Sequence, residues 1–374
     1  MITTDLCSKI QEAISAFKLQ GRPISCDRYG NGHINDTFLL CVQSPAVKRR
    51  YILQRINHSI FKNPVELIEN IRGVTSYLHQ KISQLGQDPY RETLNLVETL
   101  DGQYLFKDSI GCYWRCYLFI EQTICFEQVS KSADFYESGK AFGNFQKLLS
   151  DYPAAKLHDT IPDFHNTPLR YQALELAVSN DICQRVSMVL PELEFIRSRK
   201  QELSQATRMQ QEGRLPLRVT HNDTKLNNIL FDHTSGAGIC IIDLDTIMPG
   251  LSINDFGDAI RFGANTALED ETNLDQVSLS LPLFELYTKG FLEGCKAHLT
   301  TDEIQMLPMG AKLMTLECGI RFLTDYLQGD TYFKIHKPNH NLDRARTQLA
   351  LVKDMESKWD AMTEIITRYQ ALFQ

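Results

Sequence analysis

The stretch from Val219 to Gly263, VTHNDTKLNNILFDHTSGAGICIIDLDTIMPGLSINDFGDAIRFG, constrains the chain most. His221-Asn222-Asp223 opens a loop, and Asn228 follows Asp223 by five residues. The apolar run Ile239 to Ile242 then delivers Asp243. This order, H-x-D-x-x-x-x-N and then an Asp at the end of a strand, suits phosphoryl transfer. A carboxylate must stand beside the attacking hydroxyl, and two oxygen-bearing side chains must hold Mg²⁺ against the phosphates. Asp223 is the expected base, and Asn228 and Asp243 are the expected metal ligands. A strand–turn–strand unit whose Asp and Asn merely cap turns is the plainer alternative. It does not account for base-side and metal-side elements arriving together in the right order.

The blocks HNDTKLNNILFD and IIDLDTIMPGLSINDFGDAIRFG resemble the aminoglycoside phosphotransferase/choline kinase superfamily, and within it most nearly the bacterial N-acetylhexosamine 1-kinases. The resemblance runs from about Tyr29 to the C-terminal region. It implies a two-lobed, protein-kinase-like α+β fold with an antiparallel-sheet N-lobe and a mainly helical C-lobe. It implies ATP and Mg²⁺ as cofactors, and phosphorylation of the anomeric C1 hydroxyl of a free N-acetylhexosamine. It also places residues matching His33, Arg321 and Tyr332 around the sugar with the catalytic Asp.

Read in order, the chain fits that outline. Residues 4 to 19 form a helix ended by Gly21 and Pro23. Ile24 to Leu40 is a hairpin turned at Gly30-Asn31-Gly32, expected to cover the nucleotide phosphates, because Gly lets backbone N–H groups come close. Asn35 occupies the place of the third Gly in the kinase pattern, so that pattern is incomplete. Arg50 to Ile56 is a strand that offers Gln54 and Arg55 where a protein kinase has Lys. A Lys–Glu pair with Glu66 or Glu69 of the next helix is therefore in doubt. Pro64 to Leu85 is an amphipathic helix, Leu94 to Phe106 reads as two strands, and Tyr113 to Ile120 is an apolar strand. Glu121-Gln122-Thr123 follows as the hinge, with Phe119, Ile120 and Glu121 near the adenine ring. The lobes divide as residues 1–120 and 121–374.

From Ala133 the pattern turns helical: 133–150, 168–180, 184–212, 275–299, 302–327 and 341–371, with Thr300 and Glu303 as a capping box. His221 reads as a structural residue of the loop. Lys225 either neutralises the transferring phosphoryl group or is a surface lysine. Asp245 shares a face with Asp243 if the strand continues, and caps a turn if it does not. Asp255 and Asp258 read as anchors of the following helix. Arg321 has Glu317 and Asp325 four residues away as possible salt-bridge partners. The segment 317–350 is net basic, which disfavours a polycationic aminoglycoside or a choline cage and suits sugar hydroxyls.

Net charge is −7, which argues against nucleic-acid binding. No apolar stretch approaches a membrane span. The N-terminal segment reads as an amphipathic helix and not as a signal peptide. Ten Cys without a C-x-x-C pair suggest reduced thiols. A cytoplasmic enzyme with no membrane and no nucleic-acid partner is expected, in an oligomeric state that the sequence leaves open. Two other readings stay open: a kinase for choline, an amino alcohol or another sugar, and a degenerate kinase fold that only binds nucleotide. The choice between N-acetylglucosamine and N-acetylgalactosamine hangs on one epimeric hydroxyl.

Overall fold

The computed structural model describes residues 4–30, 34–45, 47–129 and 131–373. Three residues expected at the ligands, Asn31, Gly32 and His33, lie outside them. Helix α1 (Thr4–Ala16) is followed by strands β1 (Arg22–Arg28), β2 (Asp36–Gln43) and β3 (Lys48–Ile56). Then come α2 (Pro64–Gln84), a short α3 (Pro89–Glu92), β4 (Phe106–Lys107) and β5 (Tyr113–Leu118). The strands form an antiparallel sheet in the order β1-β2-β3-β5-β4. Strand alternation sorts its faces. Phe38, Leu40, Val42, Leu53, Trp114 and Cys116 point back into a core with Ile10, Ala13 and Ile14 of α1. On the other face, register aligns Thr37, Gln54 and Arg115 in one row, and Leu39, Ile52 and Tyr117 in the next.

The two strands expected within Leu94–Phe106 shrink to isolated bridges, Phe17 with Thr99 and Leu96 with Tyr117, before β4. The turn at 99–103 closes on itself instead: Thr99 Oγ1 accepts from Gln103 N at 2.8 Å. α1 ends three residues early because Phe17 joins that bridge.

Beyond the sheet lie β6 (Thr123–Ile124), α4 (Ser132–Leu148), α5 (Thr167–Asn180), α6 (Leu190–Arg197) and α7 (Gln205–Gln211). The single helix expected over 184–212 is thus two short helices joined by 3₁₀ turns. Pro191 sets the first turn of α6. Four short strands follow, β7 (Arg218–Thr220), β8 (Ile229–Asp232), β9 (Gly238–Ile241) and β10 (Met248–Gly250). They make two small ribbons, β10-β7 and β6-β8-β9, that hold the motif loops.

The rest is helical: α8 (Ser252–Gly263), α9 (Leu281–Cys295), α10 (Thr301–Gln305), α11 (Leu307–Leu327), α12 (His340–Ser357) and α13 (Trp359–Phe373). The Thr300 capping box is present, with Glu303 N donating to Thr300 Oγ1 at 3.2 Å and Thr300 N to Glu303 Oε2 at 2.8 Å. Pro308 starts α11 afresh, so the helix expected over 302–327 divides at Met306. The last expected helix divides at Lys358, whose ammonium binds Asp354 at 2.7 Å and the Leu279 carbonyl at 2.8 Å. α4 and α9 cross closely through Gly139, Gly143, Gly290 and Gly294. A Cβ on Gly143 would land on the Phe291 carbonyl oxygen. The protein thus has an antiparallel-sheet N-lobe and a helical C-lobe. None of the described helices is long and apolar enough to cross a membrane.

Candidate active site

The loop after β7 is fixed from beneath by α8. The Asp255 carboxylate accepts from His221 N at 3.0 Å, Asn222 N at 2.8 Å and Gln146 Nε2 at 2.7 Å. Asp258 accepts from Thr224 N at 3.1 Å, and Thr224 Oγ1 donates to the Asp255 carbonyl at 2.5 Å. Both Asp residues therefore anchor the motif loop as well as sitting in the next helix. Burial pushes the Asp255 carboxyl up. Burial works the same way on Asp258, but Arg261 and Lys225 outweigh it and hold that group low. His221 is structural, as expected. It is fully buried beside the rings of Phe142 and Phe145, and Nε2 meets the Ile242 carbonyl at 2.9 Å. Asn222 takes a positive φ of 64° to make the loop turn.

That scaffold leaves Asp223 half-buried. Lys225 Nζ lies 2.7 Å from its Oδ1, and Asn228 Nδ2 donates to its Oδ2 at 3.0 Å and to its carbonyl at 2.8 Å. Lys225 is thus a partner of the carboxylate and not a free surface lysine. Desolvation pulls its pKa down, but Asp223 and Asp258 more than offset this and keep it charged. Asn228 spends its amide hydrogens on Asp223, which leaves Oδ1 for a ligand.

Asn228 and Asp243 are brought together by the β8-β9 ribbon. Ile229 pairs with Ile241, and Ile242 N donates to the Asn228 carbonyl at 2.9 Å. The chain then turns sharply: Asp243 has φ 57° and ψ 57°, and Leu244–Thr246 is a 3₁₀ turn. Asp243 is exposed to solvent, between the buried Ile241 and Leu244. Burial, then the Asp245 and Asp223 carboxylates, push it up to about 7 against the pull of Arg115 and Lys225. Solvent access moderates the first of these, so the acidic neighbours carry much of the effect. An oxygen donor set with excess negative charge fits a hard divalent cation such as Mg²⁺. Among the described residues no group of three or more His, Cys, Asp or Glu could hold a metal ion alone. Asn228 and Asp243 would hold it with phosphate oxygens completing the shell.

Asp245 turns away from Asp243 and is buried. It pairs with Arg115 Nη1, and its Oδ2 accepts from Asn35 Nδ2 at 2.6 Å. Arg115 is the buried cation that the strand reading missed. It lies on β5, not β3, and Gln54 serves it through Oε1 at 2.9 Å. The signal was present, since an Arg inside the apolar run YWRCYLFI must have a buried partner. The doubt about a Lys–Glu pair was justified: Arg55 pairs with Asp36, and Glu69 meets His158 Nε2 at 2.9 Å.

Phe119, Ile120 and Glu121 leave β5 at the join between the lobes. The Phe119 ring sits 3.9 Å from the Arg50 guanidinium and 5.9 Å from the Tyr29 ring centroid. Ile120 is buried. Glu121 pairs with Arg50, and its carbonyl accepts from Arg91 Nη1 at 2.9 Å. Gly30 has φ 73° and open space at its Cα, which suits close approach of a ligand.

On the far side, Arg321 of α11 joins neither Glu317 nor Asp325. Glu317 is taken by His165 Nδ1 at 2.9 Å and Thr167 Oγ1 at 2.6 Å. Asp325 accepts the backbone N–H groups of Thr331, Tyr332 and Phe333. The Arg321 guanidinium instead lies 5.4 Å from the Phe164 ring and 5.5 Å from Phe333, and hydrogen-bonds no described side chain. Buried His165 Nε2 and Arg170 Nε also lack partners among the described residues. No sequence signal singled out His165. Tyr332 is exposed at the rim. The basic excess of 317–350 is largely met from elsewhere: Lys337 and His340 by Asp270, Arg344 by Glu269, Arg346 by Glu192. Arg321, Lys334 and His336 are the basic residues of this segment without an ion pair among the described residues.

The phosphotransferase enzyme family model matches residues 25–280, which run from β1 through both motif loops. An aminoglycoside phosphotransferase from Alicyclobacillus acidocaldarius is similar over 96% of each chain, with a TM-score of 0.59 at 11% identity. A spectinomycin phosphotransferase in complex with ADP and spectinomycin gives 0.54 at 13% identity, over 97% of this chain and 98% of that one. An ethanolamine kinase from Plasmodium vivax gives 0.51 at 14% identity, over 87% and 82%. At such identities these structures share the fold. With more than half of its length matched by the family model, the chain belongs to the phosphotransferase enzyme family.

Proposed function

We propose that this phosphotransferase moves the γ-phosphoryl group of ATP to the anomeric C1 hydroxyl of N-acetylglucosamine or N-acetylgalactosamine. Residues 1–120 are assigned to the nucleotide and 121–374 to catalysis and the acceptor. One observation carries the reading: the Arg321 guanidinium, which hydrogen-bonds no described side chain, lies between the Phe164 and Phe333 rings. On the same lobe Lys225 pairs with Asp223, and His165 holds Glu317 one turn before Arg321 on α11. Arg donors suit hydroxyl and N-acetyl oxygens, and rings suit the apolar face of a sugar. A cationic lining is a poor host for a quaternary ammonium or a polyamine. The resemblance to N-acetylhexosamine 1-kinases supports the same acceptor and adds His33 and Tyr332 to its contacts.

In this reading Asp223 orients the C1 hydroxyl and takes its proton as the oxygen attacks. The new C1–O–P bond forms as the bond from the γ-phosphorus to the bridging oxygen breaks, and ADP leaves. Lys225 balances charge at Asp223. Mg²⁺, held by Asn228 and Asp243, would supply neutralisation of the phosphate oxygens. Gly30, Asn31 and Gly32 cover the phosphates, and Phe119, Ile120 and Glu121 border the adenine.

ADP release with a panel of N-acetylhexosamines, choline, ethanolamine and aminoglycosides tests this. Turnover with the N-acetylhexosamines, abolished in Asp223→Asn, is expected. Turnover confined to the amines would replace the acceptor, and binding of ATP without any turnover would favour a degenerate kinase.

A further inference from the structure

We propose that Asn35, Arg115 and Asp245 form a clamp between the lobes, in which Asp245 positions the metal loop and does not itself ligate the metal. The inference rests on the phosphotransferase reading above. Both oxygens of the buried Asp245 carboxylate are engaged, one by Arg115 and the other by Asn35 at 2.6 Å. Asn35 is held at its other end too, with Oδ1 accepting from Asn57 N at 2.9 Å. One side chain therefore joins the turn before β2, the exit of β3 and the 3₁₀ turn after Asp243. Arg115 is equally fixed. Its Nε donates to Gln54 at 2.9 Å, and Gln54 Nε2 donates to Thr37 Oγ1 at 3.0 Å, so three strands brace it.

The clamp explains two departures from the kinase pattern. Asn replaces the third Gly because its amide is needed as a tie. The β3 Lys is dispensable because the buried cation comes from β5. Only Leu244 separates Asp245 from Asp243, and the left-handed turn at Asp243 leaves little slack between them. Arg115 also neutralises one of two neighbouring carboxylates, which leaves the other for the cation. Holding Asp245 thus sets Asp243, and holding Asn35 ties the start of β2 and the exit of β3 to it. Preorganisation of this kind is read in nucleotide affinity.

Calorimetry with ADP in EDTA, and with Mg-ATP, is the test. Asn35→Ala removes one tie to a charged group and is expected to weaken both by about tenfold. KM for ATP should rise in step, while kcat and the acceptor KM move less than about twofold. Asn35→Asp, which sets two carboxylates face to face, should be worse. Asp245→Asn should raise KM for ATP and raise the Mg²⁺ concentration for half-activation far less than Asp243→Asn does, because it displaces a ligand and does not remove one. Combined with Asn35→Ala its effect should be less than multiplicative, because the two share the Asn35–Asp245 contact. Arg115→Met alone strands a buried carboxylate, so Arg115→Met/Asp245→Leu, which removes the pair together, keeps the test open if the single variant misfolds. Wild-type affinity in Asn35→Ala, multiplicative effects in the double variant, or a Mg²⁺ requirement shifted as far in Asp245→Asn as in Asp243→Asn would each overturn the clamp alone. Wild-type protein that binds no nucleotide would overturn the clamp and the kinase reading together.

Discussion

At the scale of single residues, the site is a contest over negative charge. Asp223, Asp243 and Asp245 lie close enough to raise Asp243, and each has a different relief: Lys225, a cation with phosphates, and Arg115. Asp223→Asn should lower kcat by about 10²–10⁴-fold with nucleotide affinity retained, as steady-state kinetics and calorimetry would report. Arg321→Ala should raise the acceptor KM by about tenfold or more and leave KM for ATP unchanged, since it stands on α11 between Phe164 and Phe333 and contacts no residue assigned to the nucleotide or the metal. Asp223, Asn228 and Asp243 were legible because their spacing is local and chemical. Arg115 and His165 were not, because their partners, Asp245 and Glu317, stand 130 and 152 residues away. The basic segment misled for the same reason: its acids, Asp270, Glu269 and Glu192, come from other elements.

At the scale of elements, α8 carries the catalytic loop and the α4–α9 pair carries the C-lobe. Asp255→Ala would leave His221 N and Asn222 N unpaired in the core and cost Gln146 Nε2 one of its two bonds. A loss of about 3 kcal/mol in denaturant unfolding is expected, with kcat falling as the loop loosens. Gly143→Ala should cost about 2 kcal/mol by overpacking and leave KM values of the folded enzyme alone. Element types were largely readable from periodicity, and their breaks were less so. Pro308 and Pro191 were visible punctuation, yet whether a Pro opens a new helix or sits inside a turn depends on packing. The break at Lys358 has no local sequence cause. It follows the long-range contact of that ammonium with the Leu279 carbonyl.

At the scale of the whole molecule, two lobes of different architecture share one apolar core, in which Leu67, Ile71 and Val74 of α2 join Phe142, Phe145 and Ile247, and specific polar ties cross beside it. Asn70 of α2 donates to the carbonyls of His158 and Ile247, Arg91 reaches Asp232, and Asn35 reaches Asp245. Closing such lobes over substrates excludes water, which would otherwise compete for the phosphoryl group. The two-lobed plan was legible as a shift from strand-rich to helical periodicity from Ala133 onward. The ties were not, because each joins side chains brought together only by the fold. The central claim is transfer to the anomeric oxygen. Phosphorus NMR of the enzyme with Mg-ATP and N-acetylglucosamine, repeated with N-acetylgalactosamine and choline, addresses it most directly. A new sugar-phosphate resonance coupled to the anomeric proton is predicted for at least one N-acetylhexosamine and none for choline. Phosphate appearing only at another hydroxyl, or only on choline, would contradict the account.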